Sequence, residues 1–199
     1  MAKVAIIDSG GANIASLKYA FDRLGVSAEL TTDRETIQKA ARVLLPGVGA
    51  ARDAMSRLRS AQLIDTIRGL TQPVLGICLG MQLLCDGSEE EDVDCLGILP
   101  GVVEKLPATV DFAVPNMGWC ATQTVKTHAA MAGLEQDSYF YYLHSYALPV
   151  CDVTVATAMH HEPFSAVVAR NNFVAAQFHP ERSSSAGARL LANFMAIPT

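Results

Sequence analysis

The chain has 199 residues, half of them hydrophobic and 18% charged, with a formal net charge of −5. This balance excludes global disorder and supplies a sizeable core, read as a single domain over residues 1–199. The acidic surplus argues against nucleic acid as a main partner, and no apolar run reaches the length of a membrane span.

Val4 to Asp8 reads as a buried strand. Asn13 to Leu24 sets Ile14, Leu17, Phe21 and Leu24 at helical spacing, with Gly25 as the stop. Ala28 to Thr31 is a second strand. Arg42 to Leu45 is a third, ended by Pro46-Gly47-Val48-Gly49. One helix is predicted from about Ala50 to Leu70. Val74 to Ile77 is a fourth strand, followed at once by a helical stretch from Leu79. This alternation predicts an α/β fold, a parallel sheet with helices on both faces.

After about residue 98 the runs become mostly strand-like: Val102 to Leu106, Ala121 to Thr127, Tyr139 to Leu143, Val153 to Ala158, Ala166 to Arg170 and Phe173 to Phe178. Arg170-Asn171-Asn172 reads as a hairpin turn. Ser183 to Met195 is a closing helix with serines available as caps. The acidic run from Glu89 to Asp94 is read as a solvated loop rather than a metal site.

Cysteines stand at 78, 85, 95, 120 and 151. The odd number and the spacing fit neither a disulfide scaffold nor a pair of zinc clips. With no secretion signal at the start, they predict a reduced, cytoplasmic protein.

The strongest chemical signal is Gly76-Ile77-Cys78-Leu79-Gly80, where an apolar strand runs through a tight turn into a helix. It is the thiol counterpart of the Gly-x-Ser-x-Gly nucleophile elbow. Glycines on both sides let the chain bend sharply, and the following helix points its positive end at the sulfur, which favours thiolate. The same pattern also fits a small core cysteine packed between two glycines.

A second strand delivers His179-Pro180-Glu181. A thiol nucleophile needs a base, and the base needs an orienting partner; His179 and Glu181 can fill those roles. Alone, this tripeptide also fits a surface loop. Backbone N–H groups of Val48, Gly49 and Leu79 are candidate donors for a developing oxyanion. The pair His160-His161 is a poor metal site, because adjacent residues on a strand point to opposite faces.

With these residues in place, the chain resembles the class I glutamine amidotransferases. Gly76 to Gln82 and Phe178-His179-Pro180-Glu181 carry the resemblance. It continues through Leu45 to Ala50, Leu96 to Gly101, Pro115-Asn116-Met117-Gly118-Trp119 and His144-Ser145-Tyr146. The family fold is a mixed, mostly parallel sheet flanked by helices, with an antiparallel strand-rich portion in the C-terminal half.

The resemblance implies a Cys78–His179–Glu181 triad that hydrolyses L-glutamine to glutamate and ammonia through a thioester. Gln82, His144, Ser145 and Tyr146 would line the glutamine site. Neither a metal nor an organic cofactor is implied. Met81 and the Met-Gly-Trp segment point to the branch that forms a heterodimer with a (β/α)8-barrel cyclase subunit making imidazole glycerol phosphate. Asn13, Pro115, Met117, Trp119 and Arg182 would then face that partner. Rival readings are another amidotransferase glutaminase, as in anthranilate or vitamin B6 synthesis, and a non-catalytic binding protein on the same fold. Asn116, Cys120, Arg182 and Ser9 depart from the residues usual in the family, which are histidine, asparagine, lysine and tyrosine respectively.

Overall fold

The computed structural model describes residues 4–10 and 14–198. Asn13, expected near the partner, lies outside them. The first half alternates strand and helix: β1 (Val4–Ile7), α1 (Ile14–Asp22), β2 (Ala28–Thr31), α2 (Arg34–Lys39), β3 (Arg42–Gly47), α3 (Ala51–Ser60), α4 (Ile64–Arg68), β4 (Val74–Cys78) and α5 (Leu79–Leu84). Three short strands follow, β5 (Gly87–Ser88), β6 (Val93–Asp94) and β7 (Val102–Lys105). The second half holds β8 (Asn116–Thr124), β9 (Ser138–His144), β10 (Tyr146–Ala147), β11 (Thr154–His160), β12 (Glu162–Arg170), β13 (Phe173–Ala176) and helix α6 (Ser184–Ala196).

Among the described residues the main sheet has the order β2-β1-β3-β4-β13-β12-β11-β8-β9. The strands from β2 to β13 pair in parallel, and those from β13 to β9 pair antiparallel. The antiparallel portion therefore continues the same sheet, with β13 as the joint. A smaller sheet, β10-β7-β5-β6, stands beside it.

Strands β1, β3 and β4 are buried along their whole length. Alternate residues serve opposite faces, which is why the sequence shows continuous apolar runs there. Ile6, Leu44 and Leu75 pack with Phe21 of α1 and Phe194 of α6. Ile7, Val43 and Leu45 pack with Met55 and Leu58 of α3 and Leu83 of α5. Each fully buried aliphatic side chain of this kind contributes roughly 1.5–3 kcal/mol.

Two expectations are corrected. The helix predicted from Ala50 to Leu70 is two helices. Gln62 takes a left-handed φ of 55°, its N–H bonds Arg59 O, and the N–H of Leu63 bonds Leu58 O. That pattern is a Schellman stop, sealed by the fully buried pair Leu58 and Leu63. The strand expected from Ala121 to Thr127 is β8 and starts earlier, at Asn116, so that the Met-Gly-Trp segment forms its first half. It pairs with β9 from Asn116 opposite His144 onward, because alternation along Asn116–Thr124 matches the inward and outward faces of that hairpin.

Candidate active site

Cys78 ends β4 and caps α5, with φ 53° and ψ −113°. A non-glycine residue in that region is strained, and such strain concentrates at functional sites. The turn is tight because α5 must lie directly against β3. A Cβ on Gly80 would fall 1.6 Å from the carbonyl oxygen of Leu45, so only glycine fits. Helix α5 has only six residues, which makes its dipole a small influence beside the charged groups nearby.

His179 follows β13, the parallel neighbour of β4, so both side chains emerge at the carboxyl ends of adjacent strands. The His179 Nδ1–H donates to Glu181 Oε1 at 3.0 Å. Both side chains are almost fully buried. Burial alone would disfavour the imidazolium, but hydrogen bonds to Cys78 and Glu181 and their charges outweigh it, raising the His179 pKa to about 10.

The turn carrying this pair is fixed to β9. The backbone N–H of His179 bonds Tyr141 O at 2.9 Å. Ser183 Oγ donates to His179 O at 2.6 Å and accepts the N–H of Tyr141 at 2.9 Å. Ser183 was expected as a cap for α6. Its hydroxyl instead clamps the His179 turn, the stronger need for a fully buried group.

A cleft of about 360 Å³ opens over these residues. Its lining includes the expected Val48, Gly49, Leu79, Gln82, Ser145 and Tyr146, with Pro115 and Arg182 at its rim. Gly49 has φ +91°, a conformation that suits glycine at this bend. Ser9, a departure from the family pattern, donates its hydroxyl to Pro46 O at 2.7 Å and so ties down the strand end before the bend.

His144 also lines the cleft, but both its ring nitrogens are engaged. Its Nδ1–H donates to Tyr146 O at 2.9 Å, and its Nε2 accepts from Asn116 Nδ2 at 3.1 Å. Burial lowers its pKa to about 4, helped by the nearby His160 and His179, with the Tyr146 bond opposing. It is a neutral strut for the cleft wall. Asn116 in turn accepts the Cys120 thiol at 3.6 Å, so two of the departures from the family pattern satisfy each other.

Sequence reading missed two contributors to the cleft, Glu90 and Leu143. Glu90 belongs to the acidic run expected to be a solvated loop, yet it lines the cleft and accepts the Ala51 N–H at 2.9 Å. Glu89 likewise accepts the Lys105 N–H at 2.9 Å. The second is Leu143, whose carbonyl accepts the Cys78 thiol at 3.7 Å. Backbone carbonyls leave no trace in a sequence motif.

The outward face of the β8–β9 hairpin carries Met117, Trp119, Tyr139 and Leu143, all substantially exposed. Trp119 meets Tyr141 edge-on at 6.2 Å, and the Arg182 guanidinium lies 4.4 Å above the Tyr141 ring. This apolar face adjoins the mouth of the cleft through Leu143 and Arg182.

A strained cysteine at a strand end, beside a histidine oriented by a buried carboxylate, defines a class of thiol-dependent acyl-transfer enzymes. A family sequence model described as "Glutamine amidotransferase class-I" matches residues 5–197, and the chain belongs to that family. It is 50% identical over 195 residues to "Imidazole glycerol phosphate synthase subunit HisH" of Xanthomonas axonopodis pv. citri, covering 98% of each chain. It is 50% identical over 194 residues, again 98% of each chain, to "Imidazole glycerol phosphate synthase subunit HisH 2" of Legionella pneumophila strain Paris. The fold is shared with the crystal structure of a glutamine amidotransferase. The TM-score is 0.75 at 18% identity, over 97% of this chain and 97% of that one.

Proposed function

We propose that the chain is the glutaminase subunit of imidazole glycerol phosphate synthase, in histidine biosynthesis, acting through a Cys78–His179–Glu181 triad. The observation that carries the reading is the convergence in one cleft of the strained Cys78 and the His179–Glu181 pair bonded at 3.0 Å. The Cys78 sulfur attacks the side-chain amide carbon of L-glutamine. The tetrahedral oxyanion is met by the N–H of Leu79, which as the first residue of α5 has no intrahelical partner, and by N–H groups of Val48 and Gly49. The His179 imidazolium gives its proton to the departing ammonia, leaving a thioester. Water, deprotonated by His179, then attacks the thioester carbon; the oxyanion collapses, expels the Cys78 thiolate and releases glutamate.

Gln82, Ser145 and Tyr146 bound the substrate, with His144 holding the Tyr146 carbonyl in place. Glu90 supplies negative charge for the α-ammonium of glutamine. Relatives at half identity across nearly the whole of both chains support this branch over the anthranilate and vitamin B6 glutaminases. The apolar β8–β9 face, beside the cleft mouth, is the docking surface for a (β/α)8-barrel cyclase that receives the ammonia. The chain works as one amidotransferase domain in the cytoplasm; five free cysteines suit a reducing compartment.

The deciding measurement is glutamate release from glutamine by the chain alone and with the cyclase plus its nucleotide ligand. Slow release alone, strong stimulation by the partner, and no release by Cys78→Ala under either condition are expected. Full turnover by Cys78→Ala would overturn the mechanism, and equal rates with and without the cyclase would overturn the pairing.

A further inference from the structure

Among the buried polar side chains at the site, Gln177 has no part in the steps above. It directly follows β13 and has no exposed surface. Pairing sets Ala176 opposite Ile77, which brings Gln177 alongside Cys78. Its Nε2 lies 3.8 Å from the Cys78 sulfur. Its Oε1 accepts from Gln82 Nε2 at 3.2 Å, and the same Gln82 amide donates to Tyr146 O at 2.9 Å.

These contacts fix which way the Gln177 amide faces. Turned over, its NH₂ would meet the NH₂ of Gln82 and its carbonyl oxygen would meet the sulfur. A methionine of similar length would be cheaper to bury in such a place, because a buried amide must keep its hydrogen bonds. Two neighbours of the sulfur also act in opposite directions. The Leu143 carbonyl, 3.7 Å away, can bond only the thiol, as an acceptor of S–H. The Gln177 N–H strengthens its bond when the sulfur becomes thiolate.

We propose that Gln177 is a positioning residue for the nucleophile: its amide, aimed by Gln82, holds the Cys78 sulfur in the cleft and favours thiolate over thiol. The inference rests on Cys78 being the nucleophile. Loss of the donor leaves the His179 imidazolium alone to oppose the Leu143 carbonyl and shifts the sulfur toward the unreactive thiol. The same donor assists departure of the thiolate when the thioester is hydrolysed.

The test uses the full chain and follows alkylation of Cys78 by iodoacetamide across about pH 5–10, read on the Cys78 peptide by mass spectrometry. Gln177→Glu keeps an acceptor for Gln82 but removes the donor and adds charge beside the sulfur. Its alkylation rate near neutral pH falls roughly 10-fold and recovers at high pH. Gln177→Met, which removes both contacts, falls about 3-fold with the same recovery. A role confined to holding Gln82 would leave the midpoint of the Gln177→Met profile, which gains no charge, where the unaltered protein has it, and that result overturns the proposal. In the unaltered protein, the Gln177 side-chain amide resonances should move with the alkylation profile; resonances that stay fixed overturn it as well, without any variant having to fold. Alkylation requires no turnover, so a chain that fails to hydrolyse glutamine sinks the proposed function while leaving this measurement intact.

Discussion

His179 and Glu181 are bonded at 3.0 Å across a single intervening proline, with both side chains almost fully out of solvent. Pro180 has no N–H and a fixed φ, so the turn holds base and carboxylate in one geometry. The partnership also has a pH signature. The His179 pKa of about 10 in the folded chain lies above its ordinary 6.5. Its stabilising contribution is therefore complete below about pH 6.5 and lost as pH rises through about 10. Glu181→Gln should flatten the fall in melting temperature over that window and reduce glutamine hydrolysis by about 10²–10⁴-fold. Melts across the window and initial rates of glutamate release check both.

His144 gives the opposite sign. Its folded pKa of about 4 lies below 6.5, so its contribution is complete above about pH 6.5 and lost as pH falls toward 4. His144→Gln should show a shallower loss of melting temperature over that acid range than the unaltered protein. Its KM for glutamine should rise more than its kcat falls, because the Tyr146 carbonyl loses one of its two donors.

Gly80→Ala tests the packing of the elbow. The added methyl would meet the Leu45 carbonyl at 1.6 Å, and backbone on both sides leaves no flexible end to yield. The variant should lose more than about 3 kcal/mol of stability, read by urea unfolding, or fail to accumulate as folded protein.

Trp119→Ala tests the docking face. The indole is half exposed and sits on the outward side of β8 against Tyr141. Truncation should weaken cyclase binding by about 2 kcal/mol, roughly 30-fold in Kd by calorimetry. Glutamine hydrolysis by the chain alone should stay within about 2-fold, since the ring lies outside the cleft lining.

Local chemistry was legible in the sequence wherever one residue type alone satisfied a constraint. The strands β1, β3 and β4 announced themselves through apolar runs buried on both faces. The Gly-x-Cys-x-Gly turn and the His-Pro-Glu tripeptide marked a nucleophile and its base, because bends and base–carboxylate pairs need particular residues at fixed spacing. The resemblance carried by those motifs matches the family found by comparison.

Tertiary structure decided what depends on contacts distant along the chain. It set β13 between β4 and β12, bringing Cys78 and His179 together from 101 positions apart. It turned Ser183 from a helix cap into a clamp on His179, drew Glu90 out of a solvated run into the cleft, and paired Asn116 with Cys120 and His144. These side chains are polar and versatile. Which partner each takes is a matter of which buried donor or acceptor the packed sheet leaves unsatisfied beside it, and no residue pattern records that.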